Sequence, residues 1–176
     1  MMFEKILYHS HFGTFRLVSD DYYIKKIAFC KSEQENYTEQ NTEKDKIFPK
    51  VMMEATKQLQ EYLDGNRTDF TVPVLCDDGT AFQKAVWSAL QRIPFGETRS
   101  YSQIAAFIGR PHAVRAVGSA CGKNPVLILT PCHRVVGKHG ELTGFAAGLK
   151  LKEMLLQLES KSEDMTKEIQ KAASGR

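Results

Sequence analysis

The amino-acid sequence predicts an α/β N-terminal part joined to a mostly α C-terminal part with the layout of a helix-turn-helix. Three observations predict it. Residues 3–29 alternate apolar and polar side chains around turn residues, the period-two signature of antiparallel strands. Beyond residue 79 two capping boxes, Thr80 with Gln83 and Ser100 with Gln103, each open a segment of helical apolar period. Between the two regions Asp77, Asp78 and Gly79 form a turn cluster where the charge balance also changes sign. The expected division is therefore 1–78, 79–160 and a polar tail at 161–176, in a chain of 176 residues whose length suits one full domain or two small ones.

Taken in order, Thr14 to Val18 and Tyr23 to Phe29 are expected as strands of a hairpin turning at Ser19, Asp20 and Asp21. Residues 31–46 hold one aromatic and no aliphatic side chain and are expected as a mobile loop. Pro49 opens a helix through Val51, Met52, Ala55, Leu59 and Leu63, which Gly65 and Asn66 stop. Thr68 to Leu75 is expected as a strand. The helix opened by Thr80 carries apolar residues at 82, 85, 86, 89, 90 and 93 and ends at Pro94 and Gly96. A short helix through Ile104, Ala105 and Ile108 follows and stops at Gly109. Pro111 is expected to begin the next helix, with Ala113, Val114, Ala116, Val117 and Ala120 before Gly122. That pair has the layout of a helix-turn-helix, with 111–121 as its recognition helix. Arg115 is the sole long polar side chain in it, so it could approach a nucleic-acid backbone closely but read few base edges.

Composition narrows the function. No run approaches the ~18 apolar residues of a membrane span, and the first fifteen residues lack a signal peptide's apolar stretch. The expectation is a cytoplasmic protein whose four cysteines are reduced thiols. Residues 1–78 carry 10 basic and 14 acidic side chains, whereas 79–160 carry 10 basic and 4 acidic. That asymmetry points to an anionic partner for the second half, nucleic acid being the commonest.

The chemistry concentrates after Pro125. Four aliphatics, Val126 to Leu129, are expected as a buried strand leading into Thr130, Pro131, Cys132, His133 and Arg134. Proline forces an extended residue before it and cannot donate to a ladder, which puts Cys132 at a turn where a strand ends. A thiol there becomes nucleophilic if its pKa is lowered, and His133 and Arg134 are the neighbours available to lower it. Adjacent side chains on a strand point to opposite faces, so a water could bridge Cys132 and His133.

Several segments together, FQKAVWSAL (82–90), IPFGETRSY (93–101), IAAFIGRP (104–111), RAVG (115–118), Asn124 with Pro125, PCHRV (131–135) and GFAAGL (144–149), resemble in order and spacing the O6-alkylguanine-DNA alkyltransferases, or methylated-DNA-protein-cysteine methyltransferases. The resemblance is dense over about 80–159. It implies a ribonuclease-H-like α/β N-terminal domain in a supporting role and a winged-helix-like C-terminal DNA-binding domain.

It also implies roles. Cys132 matches the alkyl acceptor, a thiolate that attacks the alkyl carbon on guanine O6 once and irreversibly. His133 matches its base, acting through a water, and Glu159 the carboxylate that orients the histidine; from the residues alone Glu159 reads as a solvated helix end. O6 is unreachable in a stacked duplex, so the nucleotide must be flipped out. Arg115 matches the residue that fills the vacated stack, and Tyr101 the one that turns the 3′ phosphate and protonates the leaving guanine. Ala116 and Ser119 join them as DNA contacts, and Asn124 matches the hinge that bonds backbone on either side of the reactive turn. Val135, Phe145, Ala146 and Ala147 would line the substrate pocket. The implied partner is double-stranded DNA bearing O6-alkylguanine, chiefly O6-methylguanine, bound by a monomer without a cofactor.

The chain departs from the family where Phe145 stands for a tyrosine and Ala147 for the first of paired glycines, which predicts a tighter pocket that disfavours bulky adducts. His9, His11, Cys30 and Cys76 lack ligand spacing, so no structural metal is expected. The competing readings are a damage sensor that does not repair, a helix-turn-helix regulator with Cys132 as sensor, and a turning-over cysteine hydrolase.

Overall fold

The computed structural model describes residues 1–30 and 47–160. The expected loop at 31–46 and tail at 161–176 lie outside the described residues. Three strands, β1 (Phe3–His9), β2 (Gly13–Ser19) and β3 (Ile24–Cys30), form an antiparallel meander in the order β1-β2-β3. The register sets Phe15 opposite Phe29 and Leu17 opposite Ile27. Phe15, Leu17 and Ile27 are buried in one core with Met52, Ala55 and Leu59 of helix α1 (Lys50–Leu63). The β2–β3 turn is fixed by Asp20, whose carboxylate accepts the backbone N–H of Tyr22 and of Tyr23 at 2.8 and 2.7 Å.

Two expected strands are not strands. Segment 68–75 touches the sheet through one bridge, Val74 with Ile24, and segment 126–129 through one, Val126 with Ile27. Pro73 and Pro125 explain the brevity, since each offers a carbonyl, to Ile24 N–H at 2.9 Å and Ile27 N–H at 3.0 Å, but no N–H to extend the ladder. The free edge of β3 is thereby covered by the two chain segments that lead out of the N-terminal half and into the turn that carries Cys132.

In the C-terminal half both capping boxes form, opening α2 (Ala81–Leu90) and α3 (Tyr101–Phe107). Val86, Trp87, Ala89 and Leu90 of α2 are buried, whereas Ala85, expected on that face, is exposed. Trp87 donates its indole N–H to the carbonyl of Ala120 at 2.9 Å, tying α2 to α4 (Val114–Gly122). Helix α4 starts three residues later than expected, because Arg110 to Ala113 close a turn of their own, Ala113 N–H to Arg110 C=O at 2.9 Å. A parallel pair, β4 (Arg99–Ser100) with β5 (Val135–Val136), sets the start of α3 beside the exit of the Cys132 turn. Helix α5, residues 149–160, packs Leu151, Lys152, Leu155 and Glu159 inward. Among the described residues no helix is long and apolar enough to cross a membrane.

Candidate active site

The chain reaches Cys132 through two tight turns rather than off the end of a strand. Leu129 N–H bonds Leu127 C=O at 2.9 Å across Ile128, whose φ is +72°. A β-branched residue in that region is a genuine outlier, and this three-residue turn is the strained form of its kind. Pro131 then stands at φ −81°, ψ 64° beneath a bond from Cys132 N–H to Thr130 C=O at 2.8 Å, the relaxed three-residue turn of opposite hand. Cys132 to Arg134 form one 3-10 turn before β5.

Asn124 holds the double turn together. Its amide nitrogen donates to Thr130 C=O at 2.7 Å and to the Cys132 sulfur at 3.1 Å, while its amide oxygen accepts Val126 N–H at 3.1 Å. Cys132 is buried rather than displayed. Burial pushes its thiol up to about 11, against the Asn124 hydrogen bond and the charge of Lys152, which pull the other way. The expected help from Arg134 does not reach the sulfur, because that side chain is committed elsewhere.

Its target is Glu159, which is buried rather than solvated. The Arg134 Nε donates to Oε2 at 2.9 Å and its Nη2 to Oε1 at 2.9 Å, while Nη1 bonds Ile93 C=O at 2.6 Å. Gly96 N–H donates to Oε2 at 3.0 Å. Burial works to raise the Glu159 carboxyl, but the hydrogen bonds from His133 and Arg134 and the charge of Arg134 outweigh it and hold the group at about 2. An ionised carboxylate only accepts. The His133 Nε2, 2.9 Å from Glu159 Oε1, is therefore the protonated ring nitrogen. Nδ1 is left as a buried lone pair without a hydrogen-bond partner among the described residues. Burial, the largest influence, depresses the His133 pKa even against the pull of Glu159, so the ring is neutral at pH 7.

Two members of this network were missed by sequence reasoning. Tyr62, on α1, donates its buried hydroxyl to Glu159 Oε1 at 2.6 Å and lies 3.4 Å from His133 Nε2. Lys152, fully buried, donates to Val135 C=O at 2.6 Å and Thr143 C=O at 2.7 Å, joining β5 to the loop before Phe145. The signal for Tyr62 was its place on the apolar face of α1 with Ala55 and Leu59, and for Glu159 its i+4 and i+8 spacing from Leu155 and Leu151.

Tyr101, half-buried, donates its hydroxyl to Thr143 C=O at 2.9 Å, at the edge of the loop that carries Phe145, Ala146 and Ala147. Of the expected wall, Val135 and Ala147 are buried, Phe145 is half-buried and Ala146 exposed. Arg115, Ala116 and Ser119 are exposed together on one face of α4. The sequence's grouping of Cys132, His133, Glu159 and Asn124 is thus spatial, whereas Arg115, Ala116 and Ser119 form a separate surface.

Fold and site together define a class: a protein with an α/β half and a helix-turn-helix half, built around a buried cysteine, a neutral histidine and an ionised carboxylate. Comparison with known proteins gives the class its family. Residues 4–76 match the family model for the ribonuclease-like domain of 6-O-methylguanine DNA methyltransferase, and residues 81–161 that for its DNA-binding domain. The chain belongs to the 6-O-methylguanine DNA methyltransferase family. It is 44% identical over 154 residues to a methylated-DNA–protein-cysteine methyltransferase of Methanosarcina acetivorans, covering 87% of this chain and 96% of the relative. It is 56% identical over 105 residues to the inducible enzyme of that name in Bacillus subtilis, 60% of this chain and 58% of the relative. A Mycobacterium tuberculosis OGT solved in complex with DNA superposes with a TM-score of 0.77 at 37% identity, covering 90% of this chain and 93% of that one.

Proposed function

We propose that this protein repairs double-stranded DNA by moving the alkyl group from O6 of a flipped guanine, chiefly a methyl group, to the sulfur of its own Cys132. The observation that carries the reading is the state of His133. Glu159 fixes the proton on Nε2, which leaves Nδ1 as a base in the same turn as a thiol that burial keeps protonated.

In the reaction the thiol proton passes to Nδ1, directly or through a water, as the sulfur attacks the alkyl carbon in line. The S–C bond forms and the C–O6 bond breaks with its electron pair on guanine. Tyr101 is the group assigned to return a proton to the leaving base. The imidazolium is stabilised by Glu159, and the Asn124 amide, already bonded to the sulfur at 3.1 Å, supports developing thiolate charge. The thioether product cannot be resolved by any further step of this site, so each chain acts once.

The exposed face bearing Arg115, Ala116 and Ser119 supports its assignment to the duplex, with Arg115 filling the stack the guanine leaves. Val135, Phe145, Ala146 and Ala147 are assigned to the pocket that receives the base. The family matches ending at 76 and starting at 81 support a domain division at 78 and 79. The protein is read as a cytoplasmic monomer when free of DNA, in keeping with a chemistry that needs a reduced thiol.

Intact-protein mass spectrometry after incubation with a duplex bearing one O6-methylguanine tests the reading. A gain of one methyl group per chain, mapped to Cys132 and absent from Cys132→Ala, is expected. An unchanged mass, or methylation of Cys132→Ala, overturns it.

A further inference from the structure

The carboxylate that steers His133 is not held by the C-terminal half alone. We propose that Tyr62, on α1 of the N-terminal half, is a positioning residue for the alkyl transfer, its hydroxyl fixing Glu159 and setting how tightly His133 holds a proton. The proposal rests on the reading of Cys132 as alkyl acceptor and His133 as its base.

The geometry separates the hydroxyl from the ring that carries it. The Tyr62 ring is gripped by Phe70, centroids 5.3 Å apart, and edge-on by Phe95 at 6.1 Å. A phenylalanine would make the same contacts. The oxygen adds only its polar bonds: 2.6 Å to Glu159 Oε1 and 3.4 Å to His133 Nε2, in a site closed to solvent. A buried hydroxyl is costly unless paired. Here its partner is the same oxygen, Oε1, that His133 uses at 2.9 Å.

Sharing that oxygen has a direction. The groups that face His133 are Glu159 and Lys152 from α5, Arg134 from its own turn, Tyr62 from α1 and the neighbouring Cys132. Glu159 is the one anion among them, and it favours the imidazolium. Each additional donor on Oε1 spreads that charge and weakens its pull on the His133 proton. With the hydroxyl in place the imidazole stays neutral to lower pH, which keeps Nδ1 available as a base. The hydroxyl also joins Arg134 as a donor to Oε1, which helps to hold that oxygen against Nε2 and so keeps the tautomer with its proton there.

The experiment compares the full chain with Tyr62→Phe. Titration of the ¹⁵N-histidine-labelled proteins by NMR, with the His133 resonances assigned through a His133→Gln control, reads the proton affinity without DNA. In Tyr62→Phe the His133 midpoint is expected to rise by about half a unit to one unit. The single-turnover rate on a methylated duplex should lose its acid limb at correspondingly higher pH, falling about three- to tenfold below that limb, with duplex affinity unchanged. In a Glu159→Gln background the same substitution should move nothing further. An unmoved midpoint, or an equal shift in both backgrounds, overturns the proposal; lower activity with an unmoved midpoint marks Tyr62 as structural and overturns it too. If the wild-type chain itself transfers no alkyl group, the functional reading fails while the titration still reports on Tyr62.

Discussion

The Nε2 of His133 and Oε1 of Glu159 are 2.9 Å apart with both side chains withdrawn from solvent. That single contact decides which nitrogen of His133 keeps its proton, and in the proposed reaction it brings a residue 26 positions away in sequence to the chemistry of Cys132. Glu159→Gln keeps the shape but offers His133 an amide without charge. The transfer rate in single turnover is expected to fall on the order of 10² to 10⁴-fold. Arg134 would lose its buried counter-ion, costing about 3–5 kcal/mol of stability. Rapid-quench kinetics and thermal unfolding check both. A variant that transfers at the wild-type rate would remove Glu159 from the mechanism.

The Cys132 thiol carries the second prediction, because burial raises it to about 11 instead of lowering it. A small neutral alkylating agent reacts with the thiolate, whose fraction at pH 8 is then about a hundredfold below that of an ordinary cysteine. The sign follows: Cys132 alkylation should climb with pH until near 11, while the transfer from DNA, driven by His133, should plateau far lower. Asn124→Ala removes the largest influence pulling the thiol down and should slow the small agent further. Peptide mapping with iodoacetamide across pH measures this, and a plateau near neutrality would mean that a standing thiolate, not base catalysis, explains the reactivity.

Ile128 makes a test of backbone strain possible. Its side chain is buried, so both Ile128→Ala and Ile128→Gly lose packing. At φ +72° the remaining difference between them is the Cβ. Glycine should be the more stable of the two by about 1 kcal/mol, the reverse of the order expected at an ordinary position. Denaturant unfolding of the pair decides it: alanine the more stable would mean that the turn relaxes and stores nothing.

What the sequence made legible followed local rules. The capping boxes at Thr80 and Ser100 use neighbours three residues apart and formed as read. PCHRV located the reactive turn without its shape, because four aliphatics in a row look alike whether they extend or fold back across a positive φ. Thr68 to Leu75 looked like a strand by composition, yet Pro73 limits it to one bridge. Arg134 seemed the natural partner of its neighbour Cys132, and only the packing of α5 shows that Glu159 takes it. Tyr62 lies 71 residues from His133, and no local pattern marks that contact.

Arg115 tests the division between the buried relay and the exposed helix. It is on the surface of α4, with Ala116 and Ser119. If it fills the space left by the guanine, Arg115→Ala should cost duplex repair a great deal and reaction with free O6-methylguanine base almost nothing. A loss on the order of 1–3 kcal/mol, about five- to 150-fold, is the scale of a lost stacking contact in such a complex. Duplex binding by the wild-type chain should weaken as salt rises through counterion release. Arg115→Ala should retain most of that salt slope, since a residue placed in the stack neutralises fewer phosphates than one lying along the backbone. Side-by-side rates on duplex and free base, with binding measured across salt, separate the cases. Equal losses on both substrates would place Arg115 in the chemistry rather than in flipping, and a flat wild-type salt response would remove the phosphate contacts on which this orientation of α4 depends.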